Sequence, residues 1–381
     1  ALKRYDNGGS AIKVRLVKGA NLAMEKIEAS SKLWPQAPFS RKIEVDAHYR
    51  KMVNFALNKD HAFAVNIGIA SHNIFDVAYA LLLKYEQDIF DYVNFEMLEG
   101  MAEHLRLVVQ ELSQGMILYC PAAGKDEFQN AIAYLIRRLD ENTAPDNFLR
   151  HIFNLKENSS TFKQQAEFFK EGCQLINSIN STPKRQQNRL KTITQEELHS
   201  NFTNEADTDF SLPQNYQWAQ NIYAELESVI EPTVPLIING EVSFSEKTRK
   251  GICPNTAQAW GSISLATTEN IETALLSAQE DFVSWSQTDV LTRTNIIQKA
   301  AHLLRQQRAQ LITTMIIETG KTLSEADTEI SEAIDFCDYY SRNLIYWSKQ
   351  ENLSFTAIGP TLITSPWNFP CAIPVGGISA A

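Results

Sequence analysis

The stretch Tyr134–Asn142 (YLIRRLDEN) carries two adjacent arginines within a segment of helical periodicity. With about 100° between successive residues, Arg137 lies on the face opposite Leu135, and Glu141 follows one turn later on the face of Arg137. Arg138 flanks an apolar stripe on this predicted helix. The stripe has i, i+4, i+7 and i+11 spacing and consists of Phe128, Ile132, Leu135 and Leu139.

Two neighbouring guanidinium groups on a helix can form a fork for a carboxylate, because their planar donors match carboxylate oxygens in a bidentate fashion. A solvated basic patch, with an i,i+4 ion pair between Arg137 and Glu141, accounts for the same residues, since exposed arginine is ordinary. The helix alone is compatible with both interpretations, so the rest of the chain has to distinguish them.

An apolar run at Met116–Tyr119 precedes this helix, and the intervening Cys120–Gly124 contains Pro and Gly. This order predicts a strand, a turn and a helix. Three earlier apolar runs, at 14–17, 62–67 and 92–96, are also followed by helical patterns. Strands that alternate with helices predict βαβ units and a parallel sheet. Since a (β/α)8 barrel needs about eight such units, the pattern predicts half a barrel.

Polar residues interrupt the predicted strands or follow them directly. Arg15 and Asn66 lie in mid-strand, and Glu96 closes its strand. In a barrel such residues point inward or gather at the C-terminal ends of the strands, where active sites are built. The turns that follow the strands are polar or small, as such a site requires: Lys18–Asn21, Ala70–Asn73, Leu98–Met101 and Pro121–Gly124.

Composition narrows the class of protein. The 381 residues carry a net charge of −10, which argues against nucleic acid as a partner. No apolar segment approaches the roughly 20 residues of a membrane span. The five cysteines are scattered without a C-x-x-C pair, which indicates neither a zinc site nor a disulfide framework and favours a reducing cytoplasm. Because the chain starts at Ala1 and stops at Ala381 in an apolar run, we expect a piece of a longer protein.

The order of motifs in the first part resembles the C-terminal half of the proline dehydrogenase barrel, above all that of the bifunctional proline utilization A flavoenzymes. The resemblance covers most of residues 10–155. It implies that Arg15 faces the flavin of FAD and that Lys18, Gly19 and Ala20 also contact FAD. It further implies that Ser71, His72 and Asn73 line the dinucleotide.

The same resemblance implies that Arg137 and Arg138 pair with the carboxylate of proline, which positions the substrate against the flavin. Glu141 would orient an arginine, and Tyr119 would close the pocket. One departure is that Asn21-Leu22 stands where better-known members carry an aromatic pair. We therefore expect no aromatic stacking on the flavin from these two positions.

Composition changes after residue 178. The basic run 184–189 and the acidic run 204–209 are typical of a solvated linker, and an amphipathic pattern at 216–229 predicts a docking helix. We therefore divide the chain into a half-barrel at 1–178, a linker with a docking helix at 179–234, and a second α/β domain at 235–381.

Pro366–Pro370 (PWNFP), preceded by Glu318–Lys321 (ETGK), resembles the aldehyde dehydrogenase superfamily over nearly all of residues 235–381. The resemblance implies that Asn368 donates its side-chain amide to the oxyanion of a thiohemiacetal. It also implies that Ser365, Pro366 and Trp367 lie along NAD. The alternative is that Trp367 and Phe369 are simply buried aromatics. The nucleophilic Cys and general-base Glu of this superfamily lie beyond Pro370, and Cys371 lacks the nucleophile's context.

Together the two resemblances imply proline catabolism. FAD-dependent oxidation of proline gives pyrroline-5-carboxylate, and NAD-dependent oxidation of glutamate semialdehyde gives glutamate. They also imply that a membrane quinone accepts the electrons from the flavin. The protein would then be cytoplasmic, would visit the inner membrane surface, and could form a homo-oligomer. We expect the 381-residue chain alone to be inactive. A monofunctional proline dehydrogenase with a degenerate second half, or a non-catalytic scaffold that retains the fold, are the alternatives.

Overall fold

The computed structural model describes residues 1–18, 22–145, 147–191, 201–226 and 232–381. The chain divides into two compact units. Unit 1 comprises residues 1–28 and 36–184, and unit 2 comprises residues 29–35 and 185–381. Within the described ranges, no helix combines the length and the apolar character that crossing a bilayer requires.

Unit 1 is built on one sheet of four parallel strands, which are hydrogen-bonded to each other in chain order. The strands are β1 (Ile12–Leu16), β2 (Val65–Ala70), β3 (Val93–Leu98) and β4 (Met116–Tyr119). The helices are α1 (Leu2–Asp6), α2 (Leu22–Ser31), α3 (Lys42–Ala56), α4 (Lys59–Ala62), α5 (Ile74–Glu86), α6 (Glu103–Ser113), α7 (Phe128–Thr143) and α8 (Ser160–Gln174). Four short 3₁₀ turns lie at Phe90–Tyr92, Lys125–Glu127, Phe148–Arg150 and Ile152–Asn154.

The predicted half-barrel of alternating strands and helices is confirmed, and β4 has the bounds that the sequence predicts. The strand predicted at 62–67 is displaced, because Asn58 caps the short helix α4 by accepting the N–H of Asp60, and β2 starts only at Val65. The core of the unit forms where α3 and α5 cover the sheet. Val53, Ile69 and Phe95 are among its fully buried side chains.

Helix α7 is confirmed as amphipathic, but its apolar stripe faces outward. Phe128, Ile132, Leu135 and Leu139 are 61%, 42%, 45% and 57% exposed. A stripe of this kind normally covers a core. The four described strands give it no sheet to cover, because β4 is the last strand of the sheet and is itself half exposed.

Unit 2 is mostly helical, with a three-stranded sheet in the order β5-β9-β8 and a separate hairpin of β6 and β7. Its strands are β5 (Thr233–Val234), β6 (Leu236–Ile238), β7 (Glu241–Ser243), β8 (Thr248–Ile252) and β9 (Ala259–Ser264). Its helices are α9 (Pro213–Leu226), α10 (Thr268–Gln287), α11 (Val290–Gln306), α12 (Arg308–Thr319), α13 (Leu323–Ser348) and α14 (Ala372–Ala380).

Local signals account for most of these boundaries. The hairpin turn between β6 and β7 has φ of 53° at Asn239 and 77° at Gly240, conformations that Asn and Gly tolerate. Thr322 and Glu325 form a capping box at the start of α13. That helix is the centre of the unit, and Ile330 and Ile334 on it are completely buried.

The prediction of a solvated linker is wrong for the described residues between 184 and 209. The side chain of Arg189 is 9% exposed and donates to Thr208 Oγ1 at 2.9 Å and to the carbonyl of Ala206 at 2.6 Å. Glu205 forms ion pairs with Arg305 at 2.8 Å and Arg308 at 3.1 Å. The charge runs are therefore the two halves of an internal network. Composition alone cannot distinguish such a network from a solvated segment.

Candidate active site

In unit 1, Arg15 and Glu96 form an ion pair across the sheet, passing over Gly68 on the strand between them. Glu96 is 3% exposed, and Lys13 adds a second cation at 3.4 Å from its carboxylate. A side chain at position 68 would collide with Glu96 Oε1, so it would displace the carboxylate. Arg15 remains 42% exposed on its other side. The pair fixes the guanidinium while leaving part of it accessible.

Aromatic rings connect Arg15 to the two arginines of α7. The guanidinium of Arg15 lies 5.0 Å from the ring centroid of Tyr119, and that ring is 6.2 Å from the ring of Tyr134. The guanidinium groups of Arg138 and Arg137 lie 5.2 Å and 6.0 Å from the same Tyr134 ring. Cation–π attraction at these distances favours arginines held beside the rings. The structure thus brings four predicted site residues into one cluster.

Glu141 pairs with Arg138 at 2.8 Å, so the i,i+4 pair predicted with Arg137 is replaced by an i,i+3 pair. On a helix both spacings place side chains within reach, which is why the spacing alone did not select the partner. Partial burial raises the pKa of Glu141, while the charges of Arg138 and then Arg137 oppose this shift. Of the two arginines, Arg138 is therefore the one to which Glu141 is paired.

Arg138 has unused hydrogen-bonding capacity in a buried position. Its side chain is 17% exposed, and its buried Nε–H has no hydrogen-bond partner in the part of the chain that the structure describes. A buried donor without an acceptor is costly, so it marks a place where an acceptor is expected to bind. Arg137 beside it is exposed. A carboxylate that binds both would fill this position.

Lys18, an expected cofactor contact, is paired with acidic side chains of unit 1. Its ammonium forms ion pairs with Asp76 and, at 2.6 Å, with Asp46, and it lies 5.2 Å from the ring centroid of Tyr49. Asp76 also accepts from buried Arg50 at 2.8 Å. Lys18 is thus tied to helices α3 and α5. The predicted contacts at Gly19 and Ala20, and the departure at Asn21, lie outside the described residues.

Ser71, His72 and Asn73 follow β2 and support the start of α5. Asn73 caps the helix by accepting the N–H of Phe75 at 3.0 Å, and Ser71 Oγ accepts the N–H of Asn73 at 3.1 Å. His72 Nε2 accepts the N–H of Leu98 at 3.3 Å, which places the imidazole proton on Nδ1. Burial lowers the pKa of His72, so the ring is neutral near pH 7. Because Ser71 Oγ accepts this hydrogen bond, its hydroxyl proton can still be donated to another acceptor.

In unit 2, the predicted site residues lie on a turn that leads into α14. Trp367 is 78% exposed, and Pro366 and Asn368 are also exposed. The alternative of a buried Trp367 is therefore wrong for the described part of the chain. Ser365 Oγ is buried and has no hydrogen-bond partner among the described residues, which makes it available to a ligand.

One residue beside the candidate site of each unit was not singled out from the sequence. Tyr134 lies three and four positions before Arg137 and Arg138, and that helical spacing could have revealed it. Glu329 is 1% exposed in its side chain, pairs with Lys321, and accepts the backbone N–H of Cys371 at 2.7 Å. Since backbone amides leave no trace in a sequence, nothing in the pattern identified Glu329.

Cys371 follows the turn directly. Burial, and then the nearby charge of Glu329, raise the pKa of its thiol to about 11. The thiolate is the nucleophilic form of cysteine, and very little of it exists at neutral pH with such a pKa. Cys371 is therefore poorly suited to act as a nucleophile, in keeping with its lack of the nucleophile's sequence context.

Two family models match the chain. The proline dehydrogenase model matches residues 2–151, and the aldehyde dehydrogenase family model matches residues 242–381. Among curated proteins, 1-pyrroline-5-carboxylate dehydrogenase 1 of Halalkalibacterium halodurans is 33% identical over 186 residues, which are 46% of this chain and 36% of that protein. The corresponding enzyme of Staphylococcus aureus is 30% identical over the same shares. The chain thus spans well under half the length of these relatives.

Solved structures match both units at once. Proline utilization A from Bdellovibrio bacteriovorus, inactivated by N-propargylglycine, has a TM-score of 0.76 and 29% identity, covering 99% of this chain and 38% of that one. Proline utilization A from Corynebacterium freiburgense has a TM-score of 0.69 and 30% identity, covering 99% and 32%. Both matched families are oxidoreductases. The chain is therefore similar to proline utilization A over nearly its whole length, with a match to the proline dehydrogenase model followed by a match to the aldehyde dehydrogenase family model.

Proposed function

We propose that the protein to which this chain belongs oxidises proline to pyrroline-5-carboxylate with FAD, and oxidises glutamate semialdehyde to glutamate with NAD. The observation that carries the proposal is the cluster of Arg15, Tyr119, Tyr134, Arg137 and Arg138 in unit 1. This cluster holds three cations on aromatic rings and leaves one buried donor without an acceptor.

Proline is the substrate that this cluster fits. Its carboxylate would accept from Arg137 and from the free Nε–H of Arg138, while Glu141 holds the rest of the Arg138 guanidinium at 2.8 Å. Each charged hydrogen bond of this kind contributes roughly 1.5–3 kcal/mol. Tyr119, which is 40% exposed, would close over the ring of the substrate. These residues bind and orient proline, which is how a rigid fork lowers the barrier.

The residues that would hold FAD are Arg15, at the flavin, and Ser71, His72 and Asn73, along the dinucleotide. When bound, FAD would supply the hydride acceptor for the ring carbon beside the proline nitrogen. Arg15 fits this role because Glu96 fixes one side of its guanidinium and the other side stays accessible. Ser71 fits because its hydroxyl can still donate. By family resemblance, Lys18, Gly19 and Ala20 would be further contacts to FAD, and the ion pairs of Lys18 to Asp46 and Asp76 would hold its ammonium in place.

For the second reaction, Ser365, Pro366 and Trp367 would lie along NAD, which would supply the hydride acceptor for the aldehyde carbon. The unpartnered Ser365 Oγ fits a polar cofactor group. Asn368 would donate its exposed amide to the oxyanion, a role that requires a fixed neutral donor. The nucleophile would come from a residue other than Cys371.

By family resemblance, we further propose a membrane quinone as the final electron acceptor. The protein would then work in the cytoplasm, visit the inner membrane surface, and form homo-oligomers. Residues 1–178 would be the barrel part, 179–234 a connector with a docking helix, and 235–381 the aldehyde dehydrogenase part. Because the described barrel part has four of about eight strands, we expect the 381-residue chain alone to be inactive in both reactions.

The experiment is to express a protein in which this chain is extended to a complete barrel. We expect it to be yellow and to reduce an artificial electron acceptor when proline is added. Protein without flavin absorbance and without proline-dependent reduction would contradict the proposal and favour a scaffold. Proline oxidation without oxidation of glutamate semialdehyde by NAD, in a protein extended at both ends, would favour a monofunctional enzyme.

A further inference from the structure

Helix α13 places the carboxylate of Glu329 beneath the turn that carries Asn368. The side chain is 1% exposed, and one oxygen accepts two backbone N–H groups, from Cys371 at 2.7 Å and from Ala372 at 3.1 Å. These are the N-cap and the first residue of α14. The first N–H groups of a helix have no acceptor within the helix, and a negative charge there is also favoured by the helix dipole.

The second oxygen of Glu329 pairs with Lys321, whose ammonium lies 4.4 Å from the ring centroid of Phe369. A buried carboxylate requires a partner charge and hydrogen bonds to all its oxygens, and here it has both. Lys321 in turn follows Gly320, the left-handed cap of α12, at which a side chain would crowd Pro254. Three residues that follow Asn368 along the chain, Phe369, Cys371 and Ala372, are therefore attached to one buried ion pair.

We propose that Glu329 is a positioning residue for Asn368. It holds the chain after Asn368 through two amide hydrogen bonds, and through Lys321 it holds the ring of Phe369, the residue next to Asn368. An oxyanion donor acts only if it stays where the charge develops, so this exposed turn needs a rigid support. The inference rests on the proposed role of Asn368. It also explains why Glu318–Lys321 and Pro366–Pro370 occur together, since Lys321 and Phe369 meet at Glu329.

The first test is amide hydrogen exchange measured by NMR on the 381-residue chain. In Glu329→Gln and Glu329→Ala, we expect the amides of Cys371 and Ala372 to exchange about tenfold faster or more, as expected for a lost charged hydrogen bond. Glu329→Asp should recover part of the protection. Glu332→Gln, an exposed glutamate on the same helix, is the matched control and should leave both amides unchanged.

The second test observes Asn368 itself through the side-chain amide resonances that disappear in Asn368→Asp. Glu329→Gln and Lys321→Met should both shift or broaden these resonances, whereas Glu332→Gln should not. Lys321→Met tests the connection through Phe369 separately, because it leaves the two amide hydrogen bonds of Glu329 in place. Unchanged Cys371 and Ala372 exchange, or unchanged Asn368 resonances, in folded Glu329 variants would overturn the proposal.

The two proposals fail separately. If the exchange and resonance changes appear as expected, but Asn368→Ala in an enzyme extended at both ends keeps its aldehyde dehydrogenase kcat, then Asn368 is not the oxyanion donor. In that case Glu329 still anchors the turn. If Asn368→Ala loses kcat and the Glu329 variants leave the turn unchanged, the oxyanion role stands and the anchor is wrong.

Discussion

Arg15 and Glu96 are joined by an ion pair that bridges the strand between them, and a side chain at Gly68 would displace Glu96 from its present position. The charges come from β1 and β3, and both lie on the same face of the sheet. The guanidinium that we propose to face the flavin is thereby fixed by a residue of another strand. An Arg in β1, a Gly in β2 and a Glu in β3, which continues for two residues beyond Glu96, are parts of one arrangement.

Gly68→Ala should disrupt this arrangement. The added methyl group would force the buried Glu96 carboxylate away from Arg15, and overpacking of this kind costs about 1–3 kcal/mol. We expect that loss in the free energy of unfolding of unit 1, measured by denaturant titration of the 381-residue chain. Gly124→Ala is the control, because nothing lies within 4 Å of a Cβ built there. Equal stability of the two variants would show that Glu96 can move without cost.

Arg138→Met should weaken proline binding in an enzyme with a complete barrel. Loss of a charged hydrogen bond worth roughly 1.5–3 kcal/mol predicts a KM for proline that is about 10- to 100-fold higher. Arg150→Met, which removes an exposed arginine outside the cluster, should leave the KM unchanged. An unchanged KM in Arg138→Met would count against the carboxylate fork.

Glu205 should make the stability of unit 2 depend on pH. Burial opposes its charged form, but the charges of Arg308, Arg305 and Arg189 outweigh burial and lower its pKa. A lowered pKa in the folded state gives stability that is present at neutral pH and is lost as the pH falls through that pKa. Breaking a buried ion network costs about 3 kcal/mol, so Glu205→Gln should be destabilised by that amount at pH 7.

The measurement is the free energy of unfolding of both proteins between pH 7 and pH 3. The difference between wild type and Glu205→Gln should shrink as the pH falls below about 4, where glutamates become protonated. Glu246→Gln, at an exposed position of the same unit, should follow the wild type throughout. A difference that stays constant with pH would mean that the charge of Glu205 is not what stabilises the network.

Cys371 should react slowly with alkylating reagents. With a pKa of about 11, its thiolate fraction near pH 7.5 is on the order of 100-fold below that of an ordinary thiol. Iodoacetamide labelling of the folded chain, followed by mass spectrometry of the peptides, should therefore modify exposed Cys120 long before Cys371. Rapid labelling of Cys371 would reopen the question of whether it serves as a nucleophile.

The fold could be predicted from the sequence where the signals are local. Strand β4, the breaker residues after it and the periodicity of α7 lie within about 30 residues, and the structure has them as predicted. The orientation of the apolar stripe could not be predicted in this way. Whether a stripe is buried depends on which strands exist to receive it, and the pattern of one helix contains no such information.

The site could be predicted less completely, because its contacts join residues far apart in the chain. The ammonium of Lys18 pairs with Asp76, which is 58 residues away, and no local pattern indicates this partner. Glu329 acts on backbone amides more than 40 residues downstream. A motif gives the residue types that a site needs. It does not give the distant charges that compete for them.

The outward-facing apolar stripe of α7 should also affect the solubility of the isolated chain. Four large apolar side chains in one row, each more than 40% exposed, form an exposed hydrophobic patch, and such patches promote self-association. We expect the isolated chain to bind a hydrophobic dye such as ANS and to precipitate as its concentration rises. Replacing Leu135 and Leu139 by Gln should reduce both effects without loss of helix, since Gln is a good helix former.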